Sequence, residues 1–204
     1  MDARLREFAR QTKGFMPEAE GLALHQAGME ASAIGPLLEV GSYCGLSALY
    51  LGSAARDSGT VLITVDHHRG SEETQPGWEH HDPEVVDPRS GRIDTLPFLR
   101  RTLEETGLEG TVIVIVGDSP AVSPVVAGGL GLLFIDGGHA LDVAMADYTA
   151  WAGHLAAGGL LAIHDVFEDS AEGGQAPFEV WQRAVADGFV PVSTTGSLRL
   201  LRHH

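Results

Sequence analysis

Cysteine is nearly absent: Cys44 stands alone among 204 residues. One thiol cannot close an internal disulfide or build a cysteine-based zinc site, so a cytoplasmic address is the default expectation. Lysine is as scarce, with Lys13 alone. Lys and Arg together number 13 against 28 Asp and Glu, a formal net charge of −15. So little positive charge argues against non-specific binding to nucleic acid or to an anionic membrane, because neutralising phosphates takes Lys and Arg. No apolar run reaches the roughly 18–20 residues of a membrane span. The opening residues Met1 to Glu7 carry no apolar stretch of the secretory kind, so no signal peptide is expected. What is present is 44% hydrophobic and 20% charged residues, the balance of a soluble globular protein and not of a disordered one. The length suits a single domain with a full core, 1–204.

No internal repeat is visible. Residues 2–12 and 17–32 read as N-terminal helices within 1–35. From Leu37 the chain alternates. Apolar runs at 37–41, 60–66, 111–116, 131–136 and 159–165 read as strands, and 44–56, 140–157 and 177–187 read as helices. Two short strands at 189–192 and 198–201, joined around Thr194-Thr195-Gly196-Ser197, close the chain as an antiparallel hairpin. Short apolar strands alternating with helices predict an α/β fold, a mostly parallel sheet of about seven strands covered on both faces. Residues 67–93, polar and rich in Gly and Pro, break the rhythm and read as a lid-like insertion. Glu72, Glu73, Trp78 and Glu79 are expected to serve that lid or a partner contact. Its pairs His67-His68 and His80-His81 are adjacent, not four apart, which disfavours a second metal site.

Ligands of open parallel sheets bind beyond the carboxyl ends of the strands. The first strand ends in Glu39-Val40-Gly41-Ser42-Tyr43-Cys44-Gly45-Leu46-Ser47. Its glycines allow a tight turn and a close backbone approach at a helix start. The second strand ends in Asp66, placed to accept hydrogen bonds from both hydroxyls of a ribose. Glycine turn and acid together point to an adenosine-containing cofactor. NAD and S-adenosylmethionine both remain open at this point, although Tyr43 stands where a dinucleotide turn has its second glycine. The later strand ends carry Asp136-Gly137-Gly138-His139 and His164-Asp165. Two carboxylates and an imidazole could converge there on a divalent cation. Asp118 can also be read as a helix cap before Ser119-Pro120. Asp142 and Asp147 are read as a solvated helix face.

The segment from Glu39 to Ser47 resembles motif I of class I S-adenosylmethionine-dependent methyltransferases. It is especially similar to the catechol and caffeoyl-CoA type of O-methyltransferase, where Tyr also takes the middle glycine position. The resemblance runs from about Leu37 onward. It implies a Rossmann-like sheet of seven strands, mostly parallel, with a reversed last strand and helices on both faces. It implies that Glu39, Gly41, Ser42, Tyr43, Gly45, Ser47, Asp66, His67, Asp118, Ser119 and Asp136 surround S-adenosylmethionine. By the same resemblance Asp136, His164 and Asp165 would hold a divalent metal, Mg²⁺ or Mn²⁺. His164 departs from the family's oxygen ligand at that position. Mg²⁺ prefers oxygen, whereas imidazole suits softer metals.

His139 stands where catechol-type enzymes have a catalytic lysine and where some actinobacterial sugar O-methyltransferases have a histidine. An alcohol must lose its proton as it takes a methyl group, and imidazole suits that task at neutral pH. The expected function is therefore metal-dependent O-methylation of a small-molecule or oligosaccharide acceptor, a sugar or glycoside. The nearest relatives by resemblance are mannoside O-methyltransferases of methylated polysaccharide synthesis. The resemblance also implies a homodimer. The alternatives are a catechol or phenolic O-methyltransferase, a non-catalytic S-adenosylmethionine-binding protein, and an NAD-dependent enzyme.

Overall fold

The protein, examined as a computed structural model, is described at every residue except Glu79. Two helices lead, α1 (Ala3–Ala9) and α2 (Glu18–Ala31), followed by β1 (Leu37–Val40), α3 (Leu46–Ser58) and β2 (Leu62–Asp66). The middle holds β3 (Val86–Asp87), β4 (Arg92–Ile93), α4 (Leu96–Thr106), β5 (Val112–Val116) and α5 (Ser119–Val122). Then come β6 (Leu130–Ile135), α6 (Leu141–Trp151), β7 (Leu155–Ile163), α7 (Ala176–Ala186), β8 (Val190–Thr195) and β9 (Leu198–Arg202).

Seven strands form one sheet in the order β5-β2-β1-β6-β7-β9-β8. Neighbours from β5 to β7 are parallel, and β9 runs antiparallel to both β7 and β8. The reversed last strand and the closing hairpin are therefore as expected. Alternation along each strand sorts the core. Leu37, Leu132, Phe134, Leu160 and Leu200 pack under α1 to α4, whereas Leu38, Val40, Leu133, Ile135, Leu161 and Ile163 face α6 and α7. Strands buried on both faces are continuous apolar runs for this reason. Cys44 is buried, and that burial raises its thiol pKa to about 12, which leaves the thiol inert.

Three boundaries differ from the sequence reading. The helix expected over 140–157 stops at Trp151, and Leu155 already belongs to β7, paired with Leu130. Gly158, at φ +81, sits in this stretch, where the β6–β7 register shifts. The insertion over 67–93 is not all loop: Val86–Asp87 pairs with Arg92–Ile93 in a small hairpin. Finally, α4 intervenes where the reading ran from the insertion directly to β5. Its buried residues Leu99, Thr102, Leu103 and Thr106 follow the i, i+3, i+4, i+7 spacing of an amphipathic helix.

Candidate active site

Strand β1 lies between β2 and β6, and from it the chain first winds outward to β2 and β5, then returns to β6 on the other side. Loops leaving the tips of β1 and β6 therefore diverge and open a crevice, the usual ligand position of such sheets. Gly41 turns there at φ +87, and any Cβ on it would collide with the backbone oxygen of Asp136. Tyr43 is also left-handed, at φ +44. Asp66 secures this turn. Its Oδ2 accepts hydrogen bonds from the backbone N–H of Ser42 (2.9 Å) and of Tyr43 (3.0 Å). Its Oδ1 accepts from the N–H of His68 (2.7 Å). The Ser42 hydroxyl also reaches Oδ2, at 3.4 Å, whereas Oδ1 has one lone pair left and can still take a ribose hydroxyl on this partly exposed acid.

The other residues expected around the cofactor fall into two groups. Gly41, Tyr43, Asp66, Ser119 and Asp136 are partly exposed, and His67 and Asp118 are exposed. Gly45 starts α3 in the left-handed conformation, at φ +95. Ser42, Gly45, Ser47 and Glu39 are buried. Glu39, in β1, is fully buried. Asp118 caps α5 by accepting from the N–H of Ala121, and the Ser119 hydroxyl accepts from Trp151 Nε1 at 2.7 Å. Asp142 is exposed as expected, but Asp147 is buried. Burial raises the Asp147 pKa to about 6, against the opposing pull of Ser119.

Neither Glu39 oxygen meets a donor in hydrogen-bond geometry. Burial raises its pKa to about 8, and the nearby hydroxyls of Thr64 and Ser47 offset that only in part. The folded chain thus keeps this proton up to about pH 8, whereas an unfolded glutamate loses it near 4.5. Between those values the folded state binds more protons, so its stability falls as pH rises and levels off above about 8. Glu39→Gln is expected to remove this slope and to be the more stable protein above pH 8. Urea melts of both proteins at pH 5 and 8.5 check it; parallel pH profiles would contradict it.

At the tips of β6 and β7, Asp136, His139 and Asp165 each offer one ligand atom, all within 4.8 Å of one another. His139 Nε2 stands 3.5 Å from Asp165 Oδ2, and its Nδ1 stands 3.0 Å from Glu73 Oε2. The Glu73 carboxylate only accepts, so Nδ1 carries the proton in that pair, and Nε2 is the nitrogen turned toward Asp165. Glu73 comes from the insertion at 67–93. The partner's identity was not readable.

His164 is buried, and its two nitrogens point opposite ways. Nε2 lies 2.6 Å from Glu20 Oε2 in α2. Nδ1 lies 3.2 Å from Asp136 Oδ1 and 3.4 Å from Asp165 Oδ2. Burial lowers the pKa of this imidazole, but Asp136, Asp165 and Glu20 together outweigh it and raise the value to about 12. Burial likewise raises Asp165, and His164 outweighs it, leaving that acid below the usual range. Glu20 was missed entirely. It also accepts from the Ser197 N–H at 2.9 Å in the β8–β9 turn, where a side chain at Gly196 would collide with it.

Residues 38–166 match a protein family described as methyltransferase domain. The chain belongs to that family. The match covers the strands and loops that form the crevice and the acid cluster, and it bears out the expectation of a methyl-transferring enzyme. Solved structures share the fold. An O-methyltransferase from Streptomyces achromogenes involved in tomaymycin synthesis, in complex with SAM, is 17% identical with a TM-score of 0.63, over 100% of this chain and 91% of that one. An O-methyltransferase from Bacillus cereus in complex with SAH is 16% identical with a TM-score of 0.64, over 99% and 91%. A methyltransferase from Podospora anserina bound to SAH is 15% identical with a TM-score of 0.66, over 98% and 86%. Among the described residues no helix is long and apolar enough to cross a membrane.

Proposed function

We propose that this methyltransferase moves a methyl group from S-adenosylmethionine to a hydroxyl of a sugar or glycoside, a mannoside being the most specific acceptor, with a divalent cation at Asp136 and Asp165. The observation that carries this reading is the convergence of Asp136, His139 and Asp165 beside the crevice at the tips of β1 and β6. Two carboxylates are a donor set that fits a divalent cation, and the imidazole beside them is left to act on a hydroxyl bound there. A cation bound there lowers the pKa of an acceptor hydroxyl and stabilises the charge that develops on its oxygen.

The protein's own residues account for the remaining steps. Asp66 and the Gly41 turn hold the methyl donor across β1 and β2. Glu73 fixes the His139 ring, and Nε2 takes the proton of the acceptor hydroxyl. The acceptor oxygen bonds to the methyl carbon as the carbon–sulfur bond breaks, giving S-adenosylhomocysteine and a methyl ether. Holding donor and acceptor in line supplies much of the acceleration. A cavity of about 600 Å³ opens beside Asp165, lined by Phe15, Phe167, Glu168, Asp169, Ser197 and Arg199. Its carboxylates can accept from several hydroxyls and its rings can pack on the CH faces of a saccharide.

Labelled S-adenosylmethionine offered with mannosides, glucosides and catechols tests the acceptor. Transfer to a sugar and not to catechol is expected. Transfer to catechol alone would replace the sugar assignment with a phenolic one.

A further inference from the structure

We infer that Phe15 selects the acceptor, as the platform under one apolar face of a ring-shaped molecule, and that Lys13 sets this platform by tying the α1–α2 linker to the insertion. Both roles rest on the acceptor site proposed above and name what reads the acceptor there.

The linker sends neighbouring side chains in opposite directions. Met16 is buried in the core under α1 to α4, whereas Phe15 is 57% exposed. Gly14 brings the linker down onto the start of α3, where an added Cβ would stand 2.7 Å from Leu46 Cβ. The backbone that carries Phe15 is thus fixed on both sides of a ring left open to water. The ring centroid lies 5.5 Å from that of Tyr43 in the donor turn and 5.1 Å from that of His80 in the insertion, tilted against each. Two neighbours therefore prop the ring. Phe15 also lines the cavity beside Asp165, together with Ser197. A ligand that covers the open part of the ring gains apolar burial. The same cavity offers a carboxylate and a hydroxyl to polar groups. A pyranose presents both surfaces, CH groups on one face and hydroxyls around its rim.

Lys13 is the only lysine of the chain and stands two residues before Phe15. Its Nζ lies 2.6 Å from Asp82 Oδ2 and 2.6 Å from Glu84 Oε2, both in the insertion. A lone exposed ion pair contributes little. Here one partly buried ammonium holds two carboxylates, and the Asp82 side chain is itself braced by the Glu84 N–H at 2.9 Å. Without the ammonium the two acids lose their shared counter-charge and the linker loses its tie. Lys13 is not among the cavity's lining residues, so it is a positioning residue. The insertion thereby reaches the site twice, through Glu73 at His139 and through Asp82 and Glu84 at the linker of Phe15.

The test is steady-state transfer from labelled S-adenosylmethionine by the full chain. Alongside it, saturation-transfer NMR follows methyl mannoside, methyl glucoside and catechol on the S-adenosylhomocysteine-loaded protein. Phe15→Ala is expected to raise the acceptor KM by about tenfold or more. Its kcat should stay within about threefold and its S-adenosylhomocysteine affinity within about twofold. Saturation in wild type should concentrate on the CH protons of one sugar face and be lost in Phe15→Ala, whereas Phe15→Trp should keep it. Lys13→Met is expected to raise the same KM by about threefold or more, and Lys13→Arg, which keeps the charge, to restore it. An unchanged KM in Phe15→Ala overturns the platform. So does a loss of S-adenosylhomocysteine affinity that matches the KM rise, because the ring would then serve only to support Tyr43. An unchanged KM in Lys13→Met, or an equal rise in Lys13→Arg, overturns the role of Lys13. Binding of catechol in place of the sugars, with the same loss in Phe15→Ala, overturns the sugar assignment and leaves the platform standing. Binding of none of the three probes overturns both.

Discussion

His139→Ala should lower kcat for methyl transfer by about 10²–10⁴-fold, the range for losing a positioned general base, with S-adenosylhomocysteine affinity changed by less than about twofold. The split follows from where the residue sits. His139 contacts Glu73 and approaches Asp165 at the tips of β6 and β7, whereas the donor turn is tied to Asp66 at β2. Loss of the ring removes a proton acceptor and leaves the Gly41 turn untouched. Calorimetry with S-adenosylhomocysteine and single-turnover transfer from labelled donor separate the two quantities. A kcat within about fivefold of wild type would remove His139 from the chemistry.

Asp66→Ala should weaken S-adenosylhomocysteine binding by about 100-fold or more. Each hydrogen bond to a charged group contributes about 1.5–3 kcal/mol, and a donor left unpaired adds to the loss. This one carboxylate accepts from three backbone N–H groups, those of Ser42, Tyr43 and His68. Two of them belong to the turn that must approach the ligand, so the substitution loosens the turn and removes the ribose contact together. Asp66→Asn, which keeps one acceptor oxygen and the shape, should fall between. Titrations with S-adenosylhomocysteine and with NADH decide the matter. Affinity within about threefold of wild type would show that the ligand lies elsewhere, and tight NADH binding would revive the dinucleotide reading.

The legible parts of this protein were local ones. Gly41, Tyr43, Gly45 and Asp66 sit at strand ends, where a short sequence window fixes both backbone and chemistry. The acids ending β6 and β7 were legible for the same reason. The missed parts depend on distant packing. Glu20 is 144 residues from His164 in sequence and reads as an ordinary first-turn acid of α2. Asp147 reads as solvated because its helix also carries exposed Asp142. Its side chain instead lies beneath Gly137, where an added Cβ would stand 2.7 Å from Asp147 Oδ2. Helix α4 escaped notice because two of its buried positions are Thr102 and Thr106, which break the apolar count. The α6–β7 boundary was blurred by Ala156 and Ala157, good helix formers that here continue a strand. In α4 and at the α6–β7 boundary, tertiary contacts override local preference.

The most direct test of the central claim is methyl transfer by EDTA-stripped enzyme with and without added Mn²⁺, on whichever sugar accepts label. The account predicts loss of at least about 10²-fold on stripping and recovery on adding Mn²⁺. It also predicts that the label appears as a methyl ether on the sugar, one S-adenosylhomocysteine formed per transfer. Full activity after stripping, or label on any atom other than oxygen, would contradict it.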